Sequence, residues 1–465
     1  MFPWFIGQAV RDLLDDASGT AFTALVRACG GAAPRHADMY EAIFVRDDLA
    51  RAAASGNLPL LEWFATFDMI LEYPRVSKSV NDAASRHGQL EVLRWAQNNG
   101  GRMLDETHVK LAAANGRLGI LEWLAETINI DRFYRCDGIC SAAAGNGHLD
   151  VLRWLRRPGA SFAWGDTCEI AAANGRLEVL QWARANGCPW DKDTCAKAAA
   201  SGHLEVIQWA VANGCPWGTG RDVIHEAAAN GRLEVLRWAR ANGCPWDKNV
   251  MSYAAANGHL ELLIWALANG CQEDTDICDS AAGGGHLDVV MWARGNGYPW
   301  DEWTFRSAVF NGHIEVLEWV VANGCPVDRD LPSAGYENGA AKRGHVSVLR
   351  WLVDRGAEIS AKTLSCAAKG GSVEACRFLR DAGCPWDDRL GNRAAEHGRL
   401  EVLRWALKNG YEWNDDIWRV AAYHRQLHVL LWAHKRGFAA PADLIPAGVD
   451  DIDDLYHWRL KTLGK

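Results

Sequence analysis

Apolar and polar positions follow one another along this chain with the spacing of short helices, and the pattern is broken at regular places by glycine. In LEVIQWAVANG, Leu204, Ile207, Trp209 and Val211 are read as the buried stripe of one helix. The preceding DTCAKAAAS is rich in Ala, the strongest helix former, and opens on an acidic residue, as helix starts do. The closing Asn-Gly supplies a residue able to take positive φ at a helix end, and Pro216 cannot continue the helix. The pattern predicts two short helices joined in a tight hairpin.

That hairpin recurs from end to end. GRLEVLRWARANGCPWD begins at Gly231 and GHLEVIQWAVANGCPW at Gly202. The glycine between the two helices stands at Gly56, Gly88, Gly116, Gly147, Gly175, Gly202, Gly231, Gly258, Gly285, Gly312, Gly344, Gly371 and Gly398, and Arg425 takes its place in YHRQLHVLLW, which makes fourteen units. The step is 27 residues from Gly231 through Gly258 and Gly285 to Gly312, but 32 from Gly56 to Gly88 and from Gly312 to Gly344, so the longer steps mark inserted loops. One hairpin cannot bury its own apolar face, and stacked neighbours must do it.

The stretch AASGHLEVIQWAVANGC from Ala199 resembles the ankyrin repeat. Ala198 and Ala199 stand on its paired alanines, Gly202 and His203 on its turn, Trp209 on the first of its three leucines, and Gly214 and Cys215 on its closing pair. Two features depart from the family: TPLH becomes DTCA at Asp193, and the unit is shorter than the usual length of about 33 residues. The shortfall lies in the β-finger, where only Pro189 to Lys192 remains. The resemblance implies an all-α fold: an ankyrin-like helical-hairpin solenoid of about fourteen short repeats, mostly lacking β-hairpin fingers. Short, Trp-rich repeats with a CPWD signature are similar to ankyrin-repeat families encoded by giant DNA viruses of amoebae, of the pandoravirus kind. The implied function is a non-catalytic protein–protein interaction scaffold.

The repeat register spans residues 46–437. Residues 1–45 read as an N-terminal helical cap, two amphipathic helices around a Ser-Gly turn. Leu13, Leu14, Leu25, Val26 and Cys29 in this cap faintly resemble the later part of an F-box, which implies a second function: substrate-recruiting adapter of a ubiquitin ligase. Residues 438–465 read as a C-terminal capping helix, with Ile452, Leu455, Tyr456 and Leu463 on one face.

Composition agrees with copying of a motif, since 24 Trp and 45 Gly both exceed average usage. A net charge of −9 and a pI near 5.9 leave no overall excess of cations, so neither nucleic acid nor a membrane is expected as partner. No long apolar run and no secretory leader is read, so an intracellular location is expected, the cytoplasm of an infected host cell if the protein is viral. Fourteen Cys are then reduced thiols rather than a disulfide framework. The expected partner is a host protein, and the expected state a monomer.

Several residue sets invite chemistry. Cys140, Cys168, Cys195 and Cys278 stand seven before the turn glycine, where other units carry Val109, Ile224, Met251 or Phe305; Cys188, Cys215, Cys244, Cys271, Cys325 and Cys384 follow the closing glycine, where Tyr298 or Tyr411 stands elsewhere. Zinc does not accept such substitutes, so packing is expected. His148, His203, His259, His286, His313 and His345 repeat at the turn but exchange with Arg117, Arg176, Arg232 and Arg399, which favours turn hydrogen bonding over metal or proton relay. Thirteen Trp, from Trp63 to Trp432, share one helix position and are expected to be core. Trp190, Trp217, Trp246, Trp300 and Trp386 fall in the shortened finger and are expected to seal adjoining loops. GGGHLDVV at Gly283 and WGTGRD at Trp217 lack the strand context and GKS or GKT ending of a phosphate loop. No catalytic, cofactor-binding or metal-binding residue is assigned, and no cofactor is expected.

Partner contact is expected where the repeat is irregular. The pairs before the turn are nearly constant in the middle, as Ala173-Asn174, Ala229-Asn230 and Ala256-Asn257. They diversify to Arg86-His87 near the start and to Lys342-Arg343, Lys369-Gly370, Glu396-His397 and Tyr423-His424 toward the end. Inserted residues at Phe133, Tyr134 and Arg135, and from Asp328 and Arg329 to Tyr336, are expected to project as replacement fingers.

Overall fold

The computed structural model describes residues 43–65, 74–99, 104–128, 138–160, 162–217, 221–272, 274–327, 335–439 and 441. The F-box-like residues, the capping-helix residues Ile452, Leu455, Tyr456 and Leu463, and the insert residues Phe133, Tyr134, Arg135, Asp328 and Arg329 lie outside them. The chain divides into two compact units, Met1–Pro245 and Trp246–Lys465. Each is a solenoid of stacked helical hairpins, and the described residues hold helices and no strand. No helix among the described residues is long and apolar enough to cross a membrane.

The hairpin at Gly202 shows why the sequence folds this way. Its first helix, Lys192–Ser201, is capped by Asp191, whose carboxylate accepts from the Asp193 N–H at 3.0 Å while Thr194 Oγ1 accepts from the Asp191 N–H at 3.4 Å. The Gly202 N–H bonds to the Ala199 carbonyl at 3.1 Å and the His203 N–H to that of Ala198 at 2.9 Å, so the helix ends in two crossed bonds before Leu204–Ala212 begins. Asp301 caps Glu302–Asn311 in the same way, accepting from the Trp303 N–H at 2.7 Å. The Asp of CPWD is therefore a helix cap, and the segment read as the residue of a finger is a functioning helix start.

The core is narrower than the sequence stripe suggests. Val206, Ile207 and Ala210 are buried against Cys195, Ala198 and Ala199, whereas Leu204, Trp209 and Val211 are half-buried. Only Ile207 of the expected stripe lies inside. The Trp row is likewise at the rim: of the members whose side chains are described, only Trp351 is buried, at 5% exposure, where its indole meets the Phe305 ring at 6.3 Å. The reason is steric. Small residues at the helix–helix contact, such as Ala199 and Ala210, draw the backbones together and leave no interior room for an indole.

Neighbouring first helices also approach closely. A Cβ on Gly284 would stand 2.1 Å from the Ala256 carbonyl oxygen, and one on Gly370 would stand 1.8 Å from that of Lys342. These contacts set the first-helix ends of adjacent hairpins side by side.

Candidate functional site

A His, Arg or Gln at the turn reaches back to the preceding hairpin, whereas Ser372 caps its own second helix by accepting from the Ala375 N–H at 3.1 Å. His313 Nε2 donates to the Gly283 carbonyl at 3.1 Å and His345 Nε2 to that of Phe310 at 3.2 Å. Arg232 Nε donates to the Ala200 carbonyl at 3.0 Å and Arg399 Nε to that of Lys369 at 3.3 Å, while Gln426 Nε2 donates to that of Glu396 at 3.2 Å. His, Arg and Gln exchange freely here because each places one N–H on the same carbonyl, two residues before the neighbouring turn. The imidazoles are thus spent on stacking, as the turn reading expected, and burial pushes the His345 ring below the ordinary histidine range.

The cysteines are packing groups with one polar bond. The ten that the register placed at apolar sites are buried. Cys215 Sγ donates to the Asp191 carbonyl at 3.3 Å and Cys325 Sγ to that of Asp301 at 3.3 Å, which ties the close of the second helix to the cap of the first. Burial pushes the Cys140 and Cys325 thiols up to about 12, away from thiolate chemistry. Among the described residues no group of three or more His, Cys, Asp or Glu is placed to hold a metal ion.

The finger Trp seal the loops. Trp190 meets Trp209 of the next hairpin edge-on at 5.7 Å, and Trp300 meets Trp319 at 5.8 Å. A guanidinium covers the outer side: Arg184 lies 4.5 Å over Trp190 and Arg294 4.2 Å over Trp300. The same arginines donate to the Cys188 carbonyl at 2.7 Å and the Tyr298 carbonyl at 2.6 Å. Trp190 and Trp300 are each held between an arginine and the next indole, and so is Trp386 by Arg380 at 4.3 Å and Trp405 at 5.7 Å; the hairpin of Trp217 has Val211 at the arginine's place, and that indole meets Trp238 at 5.5 Å.

The first helices also present an exposed face, on which Arg343 alone of the following residues bonds to the preceding hairpin, at the Phe310 carbonyl. Arg86, His87, Lys342 and Arg343 are exposed there, Lys369, Glu396 and His397 are half-exposed, and Tyr423 is 84% exposed beside the exposed His424. Glu396 is engaged by Arg393 at 3.0 Å and lies 3.8 Å from His397 Nδ1. Tyr336 is misplaced by the loop reading. It opens the helix Tyr336–Arg343, is 3% exposed, and its hydroxyl accepts from Arg306 Nε at 2.7 Å while its ring meets Phe305 at 5.5 Å. The αL conformation of Gly335 ends the insert one residue earlier and turns the phenol inward.

Two segments, residues 195–240 and 278–321, match the family described as ankyrin repeats, many copies. Those two segments carry ankyrin repeats. No curated protein matches it in sequence. Among solved structures, the human ASB11 ankyrin repeat domain is 22% identical, covering 41% of this chain and 99% of that one, with a TM-score of 0.31.

Around the ankyrin turns the structure adds residues that the sequence reading passed over. Trp303 is 59% exposed, Phe310 stands two before Gly312 with Arg343 lying 5.5 Å over its ring, and Lys362 is exposed on the next first helix but one. Phe310 was findable, since it occupies the same register place as Lys342. Trp303 and Lys362 fall nine before the turn, where Asp is the recurring residue, as at Asp166, Asp193, Asp222, Asp276 and Asp416, and only the stacking brings them onto this face.

Proposed function

We propose that the protein is a non-catalytic scaffold that holds a protein partner on the first-helix face of its ankyrin repeats. One observation carries this reading: packing positions are nearly constant from hairpin to hairpin, while the exposed first-helix ends change from Ala-Asn pairs to Lys342-Arg343, Lys369-Gly370 and Tyr423-His424. Constant interiors with varied exteriors suit recognition, because specificity is a difference between surfaces. The CPWD likeness to giant-virus repeats guides the choice of an amoebal lysate and of a host protein as the partner sought. Affinity capture with the full chain is expected to recover a protein that binds saturably with a Kd below about 10 μM and is weakened by Lys342→Ala with Arg343→Ala. Recovery of no saturable partner, together with turnover in an unbiased metabolite screen, would overturn the reading.

A further inference from the structure

We propose that the first-helix face of the second compact unit binds a short acidic polypeptide segment, over a cluster formed by Lys342, Lys362, Lys369 and Arg393 around Cys366. The proposal rests on the scaffold reading and names the chemistry of the partner.

Cys366 marks the centre. It is half-exposed in the helix Ala361–Gly370, whereas the other described cysteines are buried. Lys362, Lys342, Arg393 and Lys369, from three consecutive first helices, all lie close enough to act electrostatically on its sulfur. The contact of Gly370 with the Lys342 carbonyl brings two of those helix ends together, so Lys342 and Lys369 stand at the same register place on touching helices. Like charges so placed repel one another unless an anion joins them.

The protein supplies too little negative charge of its own. Among the described residues Lys342, Lys362 and Lys369 form no ion pair, in contrast to Arg306 with Glu302 at 2.6 Å, Arg389 with Asp387 at 3.5 Å and Lys192 with Asp222 at 3.0 Å. The nearby carboxylates are Glu337, buried beneath Lys362 with burial pushing it above the usual carboxylate range, and Glu396, already held by Arg393. The cluster is left with an uncompensated positive charge in a chain whose net charge is −9.

The surroundings choose a short peptide over a long polyanion. On the preceding hairpins of the same unit stand Asp276, Asp301 and Glu302, and the next first helix opens with Asp415 and Asp416. A nucleic acid strand longer than the cluster would run onto these carboxylates. Exposed Trp303 and Tyr423 at the two ends offer contacts for apolar side chains that flank the acidic run.

The test uses the full chain and a fluorescein-labelled peptide of consecutive glutamates flanked by a phenylalanine at each end, followed by fluorescence anisotropy at low salt. Saturable binding is expected, weakened about tenfold or more by Lys342→Glu with Lys369→Glu and unchanged by the distant Lys192→Glu. The charge-removing pair Lys342→Gln with Lys369→Gln, which introduces no new charge, should weaken it in the same direction. Bound peptide should also slow alkylation by N-ethylmaleimide at Cys366, read by mass spectrometry at that residue. The proposal is overturned by absence of saturable binding, by binding that survives both lysine pairs, by tighter binding of an oligothymidylate of equal length, or by binding that appears only after residues 442–465, with their DDIDD run, are removed. A captured protein partner whose binding survives the reversals would leave the scaffold reading standing and remove this one.

Discussion

Replacing Gly285 by Ala tests the stacking directly. Gly285 ends the helix Ile277–Gly284 at φ +81°, and a Cβ there would stand 2.4 Å from His313 Nδ1 and 2.6 Å from Cε1 of the same ring. Gly297 ends the second helix of the same hairpin at φ +83°, with nothing within 4 Å of a Cβ. Gly297→Ala therefore costs only the left-handed backbone, roughly 1–2 kcal/mol. Gly285→Ala adds displacement of the imidazole, about 1–3 kcal/mol for overpacking, and weakening of the 3.1 Å bond from His313 to Gly283, about 1 kcal/mol. The expected excess over Gly297→Ala is about 2–4 kcal/mol. Gly285→Ala with His313→Ala should recover the steric part. Because an array need not unfold in one step, urea melts followed by circular dichroism should be paired with native-state hydrogen exchange read at the affected hairpin. Arg425 supplies the converse: it holds φ +59° with no described turn residue packed upon it, and Arg425→Gly should not destabilise. Equal losses for Gly285→Ala and Gly297→Ala would refute the claim that each turn glycine makes room for the next turn residue.

Three further outcomes follow from the packing and the charges. Trp351→Ala should cost about 3–5 kcal/mol and half-buried Trp238→Ala about half as much, measured as urea midpoints; equal losses would contradict the rim placement of the Trp row. Burial, countered in part by a hydrogen bond from Thr304 and reinforced by Asp301, Asp276 and Asp274, raises Asp279 from 3.8 to about 6. The fold thus binds this proton more tightly than the unfolded chain, so the contribution to stability is full below pH 3.8 and is lost as pH rises through about 6. Asp279→Asn should then stabilise at pH 7, on the order of 1 kcal/mol for a partly exposed group, and flatten the pH profile of the melting temperature between those values; an unchanged profile would contradict it. Arg294→Ala removes the guanidinium 4.2 Å over Trp300 and its bond to the Tyr298 carbonyl, and should cost about 1–3 kcal/mol with a red shift of tryptophan emission.

The repeat register could be read from the chain because its markers answer to strict demands. The turn glycine must tolerate a left-handed backbone beneath a neighbouring side chain, and His313, Arg232 and Gln426 after it each carry an N–H of the right reach, Ser372 being the departure. Depth of burial could not be read so well. Helical spacing reports which side of Leu204–Ala212 faces inward, but how much of Trp209 is covered depends on Trp190 from the hairpin before it, a contact that no local pattern encodes. Tyr336 failed for a related reason: in an insert an aromatic looks like a loop tip until Phe305 and Arg306 are known to lie beneath it. Surface pairs such as Lys342-Arg343 were legible as departures from Ala-Asn. Their convergence with Lys362 and Arg393 on Cys366 was not, because positions five and nine before the turn vary from hairpin to hairpin.

That the first-helix face holds a protein is tested most directly by hydrogen exchange of the full chain, alone and saturated with the partner that it captures. Binding is expected to slow exchange at the first-helix ends of Tyr336–Arg343, Ala361–Gly370 and Leu390–Glu396, with the second helices Leu204–Ala212 and Leu233–Ala241 unchanged. Protection confined to the second helices, or to none of these segments, would contradict it.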